Sequence, residues 1–350
     1  MAFVVNEVRN AKGEPMVLTD REYAVAQFNQ KRVDEMKNAL GFELNITTLT
    51  AITKRVTEQK FFKVAPADYM PLKVGGEGAW HSNLVTYTSF ALGDDFEKGN
   101  INVAVGDDRL AGADAAISSL TLQIINWAKQ INWNIPELRL AATSGNWELV
   151  TAKEKARKTN WDLGIQQVAF LGSTYDPNVL GLLTQGTVNS NTSLITQTIS
   201  SMSDAQFQTL VAGLLEAYRL NCNRTAMPTH FVIPESDYNG LVTPMNVNFG
   251  IRSKLNYLQE SLAEATMNKD FKILPLAYAN KAINNTLVGL NKNRYTLLNY
   301  DEDSVVMNIP VDYTATLQNT VNGFQFQNVG YGQYTGVLAK RPAEMLYLDF

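Results

Sequence analysis

The chain has 350 residues, enough for about two or three domains with real cores. Hydrophobic residues make up 45% and charged residues 18%, an ordinary globular balance, and the formal net charge of −4 argues against a protein that binds nucleic acid by neutralising phosphates, though not against one that merely encloses it. Cys222 is the only cysteine, which excludes an intrachain disulfide, and no apolar run reaches the roughly 18 residues of a membrane span.

The N-terminus, MAFVVNEVRN, places Glu7 and Arg9 where a secretory signal needs an unbroken apolar core, so the expected setting is a reducing cytoplasm. Residues 1–74 read as an arm rather than a domain. Thr19 stands three residues before Glu22, the spacing of a capping box. A helix is expected from about Asp20 to Leu40, carrying Tyr23, Phe28, Val33, Met36 and Leu40 and stopped by Gly41. A second helix is expected over Thr47–Gln59. Phe61 to Pro66 turns extended, because a residue before proline avoids the helical region.

Residues 75–135 read as a long β-ribbon. After the flexible Gly75-Gly76-Glu77-Gly78, the stretch His81–Leu92 alternates, with Leu84, Thr86, Thr88 and Phe90 on one side and Val85, Tyr87 and Ser89 on the other. Charge then concentrates in Asp94, Asp95, Glu97, Lys98, Asp107, Asp108, Arg109 and Asp114. Ile117–Trp133 returns extended. A two-stranded excursion of this kind is marginal in water by itself and needs another surface to lie on.

Residues 146–170 carry the marks of one long helix. Helix-favouring residues are frequent, Glu154 precedes Lys158 by four residues, and Trp147, Val150, Trp161, Ile165 and Val168 form an apolar stripe. Gly172 suits a left-handed C-terminal cap. Asp176-Pro177-Asn178 is turn chemistry, and Leu180-Gly181-Leu182-Leu183 opens a buried segment.

Residues 185–202 are mostly Ser, Thr, Asn and Gln and read as a boundary. An α/β unit follows. Ser203 to Gln206 caps a helix whose apolar face includes Phe207, Leu210, Leu214 and Tyr218. His230–Ile233 is a buried strand, Pro234–Tyr238 restarts a helix, and Ser253–Thr266 is a further amphipathic helix. Phe271–Leu274, Thr286–Val288, Arg294–Leu298 and Ser304–Ile309 are expected as strands. The tail from Pro310 is β-rich, with strands around Phe324–Val329, Tyr334–Ala339 and Met345–Leu348 in antiparallel succession and Gly330, Gly332 and Gly336 at the turns.

Residues for chemistry are sparse. His81 and His230 are far apart, and each reads as a packed or surface residue. Cys222 reads as a small buried hydrophobe. No Cys/His set has zinc spacing, and the glycine run at Gly75 lacks the Lys-Ser/Thr ending of a phosphate loop. Asp107-Asp108 and Asp301-Glu302-Asp303 lack a calcium-loop pattern and read as solvated turns. No catalytic, metal or cofactor site is expected, although a hydrolase using two distant carboxylates stays open as an alternative.

The long helix, Phe170-Leu171-Gly172 and then Gly181-Leu182-Leu183 resemble the spine helix and following loop of tailed-bacteriophage major capsid proteins, which share the Hong Kong 97 fold. The segment from Tyr334-Thr335-Gly336-Val337 to Lys340-Arg341-Pro342-Ala343 resembles the closing strands of the peripheral domain in that family. The resemblance covers nearly the whole chain in element order. It implies an α+β fold with an N-terminal arm at 1–74, an extended loop at 75–135, a peripheral domain at 136–186 and 311–350, and an axial domain at 187–310. It further implies an icosahedral shell of hexamers and pentamers, located in the virion and assembled in the host bacterial cytoplasm. Packaged DNA would be enclosed without sequence-specific binding, with no membrane and no cofactor, and with room for separate scaffolding, decoration and portal proteins. Inter-subunit contacts are expected at Asp94, Asp95, Glu97, Lys98, Asp107, Asp108 and Arg109. Some capsids of this fold join subunits through Lys–Asn bonds. Here Lys98 sits among acids that keep it charged and a poor nucleophile, so no covalent cross-link is expected. An encapsulin-type compartment shell resembles the same fold and is the nearer alternative.

Overall fold

A computed structural model describes residues 3–9, 15–18, 60, 62–76, 78–93, 113–143, 148–243 and 252–350. The chain divides into two units, 1–57 and 58–350. In the first, strands β1 (Phe3–Arg9) and β2 (Pro15–Leu18) pair antiparallel, with Phe3 opposite Leu18. The sequence reading expected no strand there. The capping box at Thr19 and the helices over 20–40 and 47–59 lie outside the described residues.

The second unit begins with a segment fixed along the spine helix. Val64 N–H donates to Gln166 Oε1 at 2.8 Å, and Met70 is fully buried. Strand β3 (Leu72–Val74) follows, then β4 (Asn83–Gly93) and the 22-residue β5 (Ala113–Asn134). β5 runs straight into helix α1 (Ile135–Thr143), which the sequence reading missed. Its signal was Asn134 before Pro136: the Asn134 Oδ1 accepts from the Glu137 N–H at 2.8 Å, an ordinary N-cap followed by proline in the first turn.

The spine helix α2 (Leu149–Leu171) spans 23 residues and buries Leu149, Arg157, Trp161, Ile165 and Val168 on one face. Trp147 lies outside the described residues. Gly172 ends the helix at φ +84° and ψ −170°, so it takes a positive φ as expected but continues extended instead of left-handed helical. The polar stretch read as a boundary is not loose. After β6 (Asn189–Asn191), Ile195 and Ile199 are fully buried, and the buried Asp237 carboxylate accepts from the N–H groups of Ile199 and Ser200 at 2.8 Å each.

Helix α3 (Asp204–Asn221) starts with the expected capping box at Ser203 and Gln206. Strand β7 (His230–Pro234), helices α4 (Glu235–Leu241) and α5 (Lys254–Thr266), and strand β8 (Lys272–Leu276) follow. Thr286–Val288, expected as a strand, is the last turn of helix α6 (Lys281–Val288). The β-favouring residues there are overridden because Leu287 and Val288 pack on the core from the helix, and Gly289 caps it at φ +70°.

Strands β9 (Arg294–Leu298), β10 (Val305–Ile309), β11 (Val311–Ala315), β12 (Asn319–Thr320), β13 (Gln325–Thr335), β14 (Val337–Ala339) and β15 (Met345–Asp349) complete the chain. The last three do not pair in succession. β13 joins β5, β14 joins β10, and β15 lies between β6 and β9. Gly330 and Gly332 are not turns either but sit inside β13. A Cβ on Gly330 would meet Arg157 Nε at 2.6 Å, and one on Gly332 would meet Trp161 Cη2 at 2.5 Å. The glycines are there so that the spine helix can lie against the strand.

The sheet ordered β6-β15-β9-β7-β8 is buried on both faces, and strand alternation divides its side chains between two cores. Val232, Leu298, Met345 and Tyr347 point to the core with the spine helix. Phe231, Tyr295, Leu297, Leu346 and Leu348 point to the core with α3 and α5. Pro275, which has no N–H, and Tyr69, whose hydroxyl donates to the Pro275 carbonyl at 2.5 Å, blunt the outer edge at β8.

Candidate functional site

The element without a core of its own is the ribbon of β4 and β5. Their register runs from Asn83 opposite Gln123 to Gly93 opposite Ala113, a length of about 35 Å at about 3.4 Å per residue. β13 stops opposite Ile124, so over 113–123 β5 has β4 as its only strand neighbour among the described residues.

The base of the ribbon is held by the spine helix. Trp161 contacts Trp127 of β5 at 5.2 Å between ring centroids and Tyr334 of β13 at 6.0 Å. Arg157 is buried. Its Nε donates to the Tyr313 hydroxyl at 2.7 Å, and Nη1 and Nη2 donate to the Asn328 backbone and side-chain oxygens at 2.9 and 2.7 Å. The helix end is locked by a backbone crossing. A Cβ on Gly181 would lie 2.4 Å from the Gly172 nitrogen and 2.5 Å from Phe170 C, and Leu182 and Leu183 N–H groups donate to Ala169 and Phe170 carbonyls. The Trp161 stripe therefore meets the sheet at Gly332 and Tyr334. Val337 shares the Trp161 core, but Leu338 does not.

Alternation along β5 puts Ile117, Ser119 and Thr121 on the same face as Trp127. Opposite them stand Ser89, Tyr87 and Val85. The spine helix covers this face at Trp127 and not at the ribbon, where Tyr87 is 72% and Ile117 74% exposed. The other face carries half-buried pairs, Leu84 with Leu122 and Thr86 with Leu120. That two-face division matches the sequence pattern.

Of the expected contact residues, Asp94, Asp95, Glu97, Lys98, Asp107, Asp108 and Arg109 all lie outside the described residues. The exposed Val85, Tyr87 and Ile117 were not singled out by the sequence reading. Their signal was a pattern in which both faces of one strand are apolar, which a ribbon with one solvated face does not need.

The remaining candidates for chemistry are packed or solvated. His81 is exposed. His230 is buried, stacks on Tyr300 at 4.9 Å, and its pKa is pushed down to about 4 by burial and then by Lys272. Cys222 is buried at the end of α3. Glu302 and Asp303 pair with Lys73 at 2.8 Å and Lys340 at 3.8 Å. Among the described residues no group of three or more His, Cys, Asp or Glu is placed to hold a metal.

A family model described as "Major capsid protein" matches residues 101–350. No curated protein matches the chain. Among solved structures, the capsid of Myoviridae phage XM1 is similar at 17% identity, covering 88% of this chain and 99% of that one with a TM-score of 0.71. The capsid of a native GTA particle covers 88% and 97% at 9% identity and a TM-score of 0.56. A Mycobacterium phage Bobi structure covers 87% and 96% at 10% identity and a TM-score of 0.56. At such identities the likeness is one of fold.

Proposed function

The chain belongs to the major capsid protein family and is a structural shell subunit of the virion; from that premise we propose that its copies close into hexamers and pentamers of an icosahedral shell around a phage genome. Heterologous contacts repeated around closed rings build such a shell from one chain. The ribbon supports this reading most directly: it exposes an apolar face and two strand edges about 35 Å long, which a monomer gains nothing by exposing. Each ribbon reaches over a neighbouring copy, with its tip residues Asp94 to Arg109 in contact there. The domain division is an extended loop at 75–135, a peripheral part at 136–186 and 311–350, and an axial part at 187–310. Interfaces of about 1,200–2,000 Å² or more, not covalent cross-links through Lys98, hold the shell. Assembly takes place in the host cytoplasm, with scaffolding, decoration and portal proteins as further partners.

The test is deletion of Gly93–Ala113. The expected product is a folded subunit that assembles poorly, read by electron microscopy and by thermal unfolding of the unassembled protein. Shells of normal yield and shape would defeat the reading. Purified particles also separate the compartment-shell alternative, since DNA-filled particles fit a virion and enzyme-filled particles fit a compartment.

A further inference from the structure

Trp80, at the foot of the ribbon, stands in a conformation that bulky residues rarely adopt. Its φ is +64° and it is 69% exposed. The surrounding residues hold it there. Its N–H donates to Gln333 Oε1 at 2.8 Å, and Gln333, itself buried, donates from Nε2 to Asn126 Oδ1 at 2.5 Å. The indole leans on the Tyr331 ring at 5.6 Å. A glutamine is thus buried and a left-handed backbone retained in order to present an indole to solvent. A residue kept in a sparsely populated conformation by its surroundings points to a role beyond packing.

The neighbouring surface supports an interface. Across β5 and β13 the pairs are Asn126 with Gln333, Ala128 with Tyr331, Gln130 with Val329 and Asn132 with Gln327. None is charged. Interface centres are depleted of charge and enriched in aromatics, and tryptophan is among the commonest energetic anchors. The strip lies on the face of β5 away from Trp127 and the spine helix, and it continues into the half-buried Leu84–Leu122 face of the ribbon. The exposed Tyr87 and Ile117 lie on the opposite face of the ribbon, so a contact at Trp80 engages a surface separate from theirs.

We propose that Trp80 is an inter-subunit anchor, covered in the shell by a second copy of the chain. The proposal rests on the shell reading and adds to it a contact residue at the ribbon's base instead of its tip. Hydroxyl-radical footprinting of wild-type subunit and assembled shell tests it without any substitution. Trp80 oxidation is expected to fall about tenfold or more on assembly. Trp80 labelled equally in both states, with Tyr87 protected in the shell, overturns the anchor and leaves the ribbon contact standing. Equal labelling of both residues overturns the ribbon reading as well. Trp80→Gly gives a second measurement, because glycine accepts the positive φ and the subunit keeps its fold. The concentration for half-assembly is expected to rise about 30-fold or more, the size of a hot-spot loss. Unchanged assembly of Trp80→Gly would overturn the proposal.

Discussion

Single residues decide how closely the spine helix approaches its sheet. Gly332 leaves room for Trp161, and Gly330 for Arg157. Gly332→Ala forces a methyl into the indole and should cost about 1–3 kcal/mol by overpacking. Trp161→Ala opens a cavity and should cost about 3–5 kcal/mol. Because the two residues touch, their effects should not add: Trp161→Phe should recover part of the Gly332→Ala loss. Denaturant unfolding of the unassembled subunit measures this, and strict additivity would show that the contact carries no energy. His230 makes a second residue-level prediction. Burial holds its folded pKa near 4, below the ordinary 6.5, so the unfolded chain takes up a proton that the folded chain refuses. The stability is therefore fully present above about pH 6.5 and is lost as pH falls towards 4. The thermal midpoint should drop across that window, and His230→Phe, which keeps the stack on Tyr300, should flatten the drop. Equal acid sensitivity in the two proteins would remove His230 as its cause.

Elements differ in how plainly the sequence announces them. The spine helix, the capping box at Ser203 and both ribbon strands were legible, because each follows from local periodicity or a cap that needs no distant partner. Other features were not. Gly330 and Gly332 look like turn residues until the helix that passes over them is placed, since close approach and a tight turn select the same amino acid. Thr286-Leu287-Val288 has strand propensity but lies in α6, where packing outweighs it. Along the ribbon the charges at its tip drew the contact prediction and lie outside the described residues, whereas the described part exposes Val85, Tyr87 and Ile117. An exposed hydrophobe is ordinary in any sequence. Only the register, which lines these three up beyond the end of the spine helix, gives them meaning.

At the scale of the whole molecule, the sheet shared by two cores makes the domain boundaries different from those of separable modules. β15 comes last in the chain yet lies between β6 and β9. Its Met345 and Tyr347 enter one core and its Leu346 and Leu348 the other. Asp349 ends the strand against Arg294 at 2.6 Å, and Arg294 also donates to the Leu183 carbonyl beyond the spine helix. Burial alone would raise the Asp349 pKa, but hydrogen bonds from Arg294 and Ser190 bring it below the usual value, so this carboxylate stays charged in the interior. A fragment of residues 187–310 would lack β15, expose Val232 and Leu298 to water, and leave Arg294 without its partner. The sheet would lose an interior strand and most of one core, so the remaining apolar face would be bare to water. The fragment should therefore show no cooperative unfolding, while residues 58–350 should unfold in one transition with equal calorimetric and van't Hoff enthalpies. Restoring β15 alone should not rescue the fragment, because the sheet face towards the spine helix would still be bare. A 187–310 fragment with dispersed amide resonances and a sharp melting transition would show instead that the α/β part folds by itself, and that the shared sheet links two modules without making them interdependent.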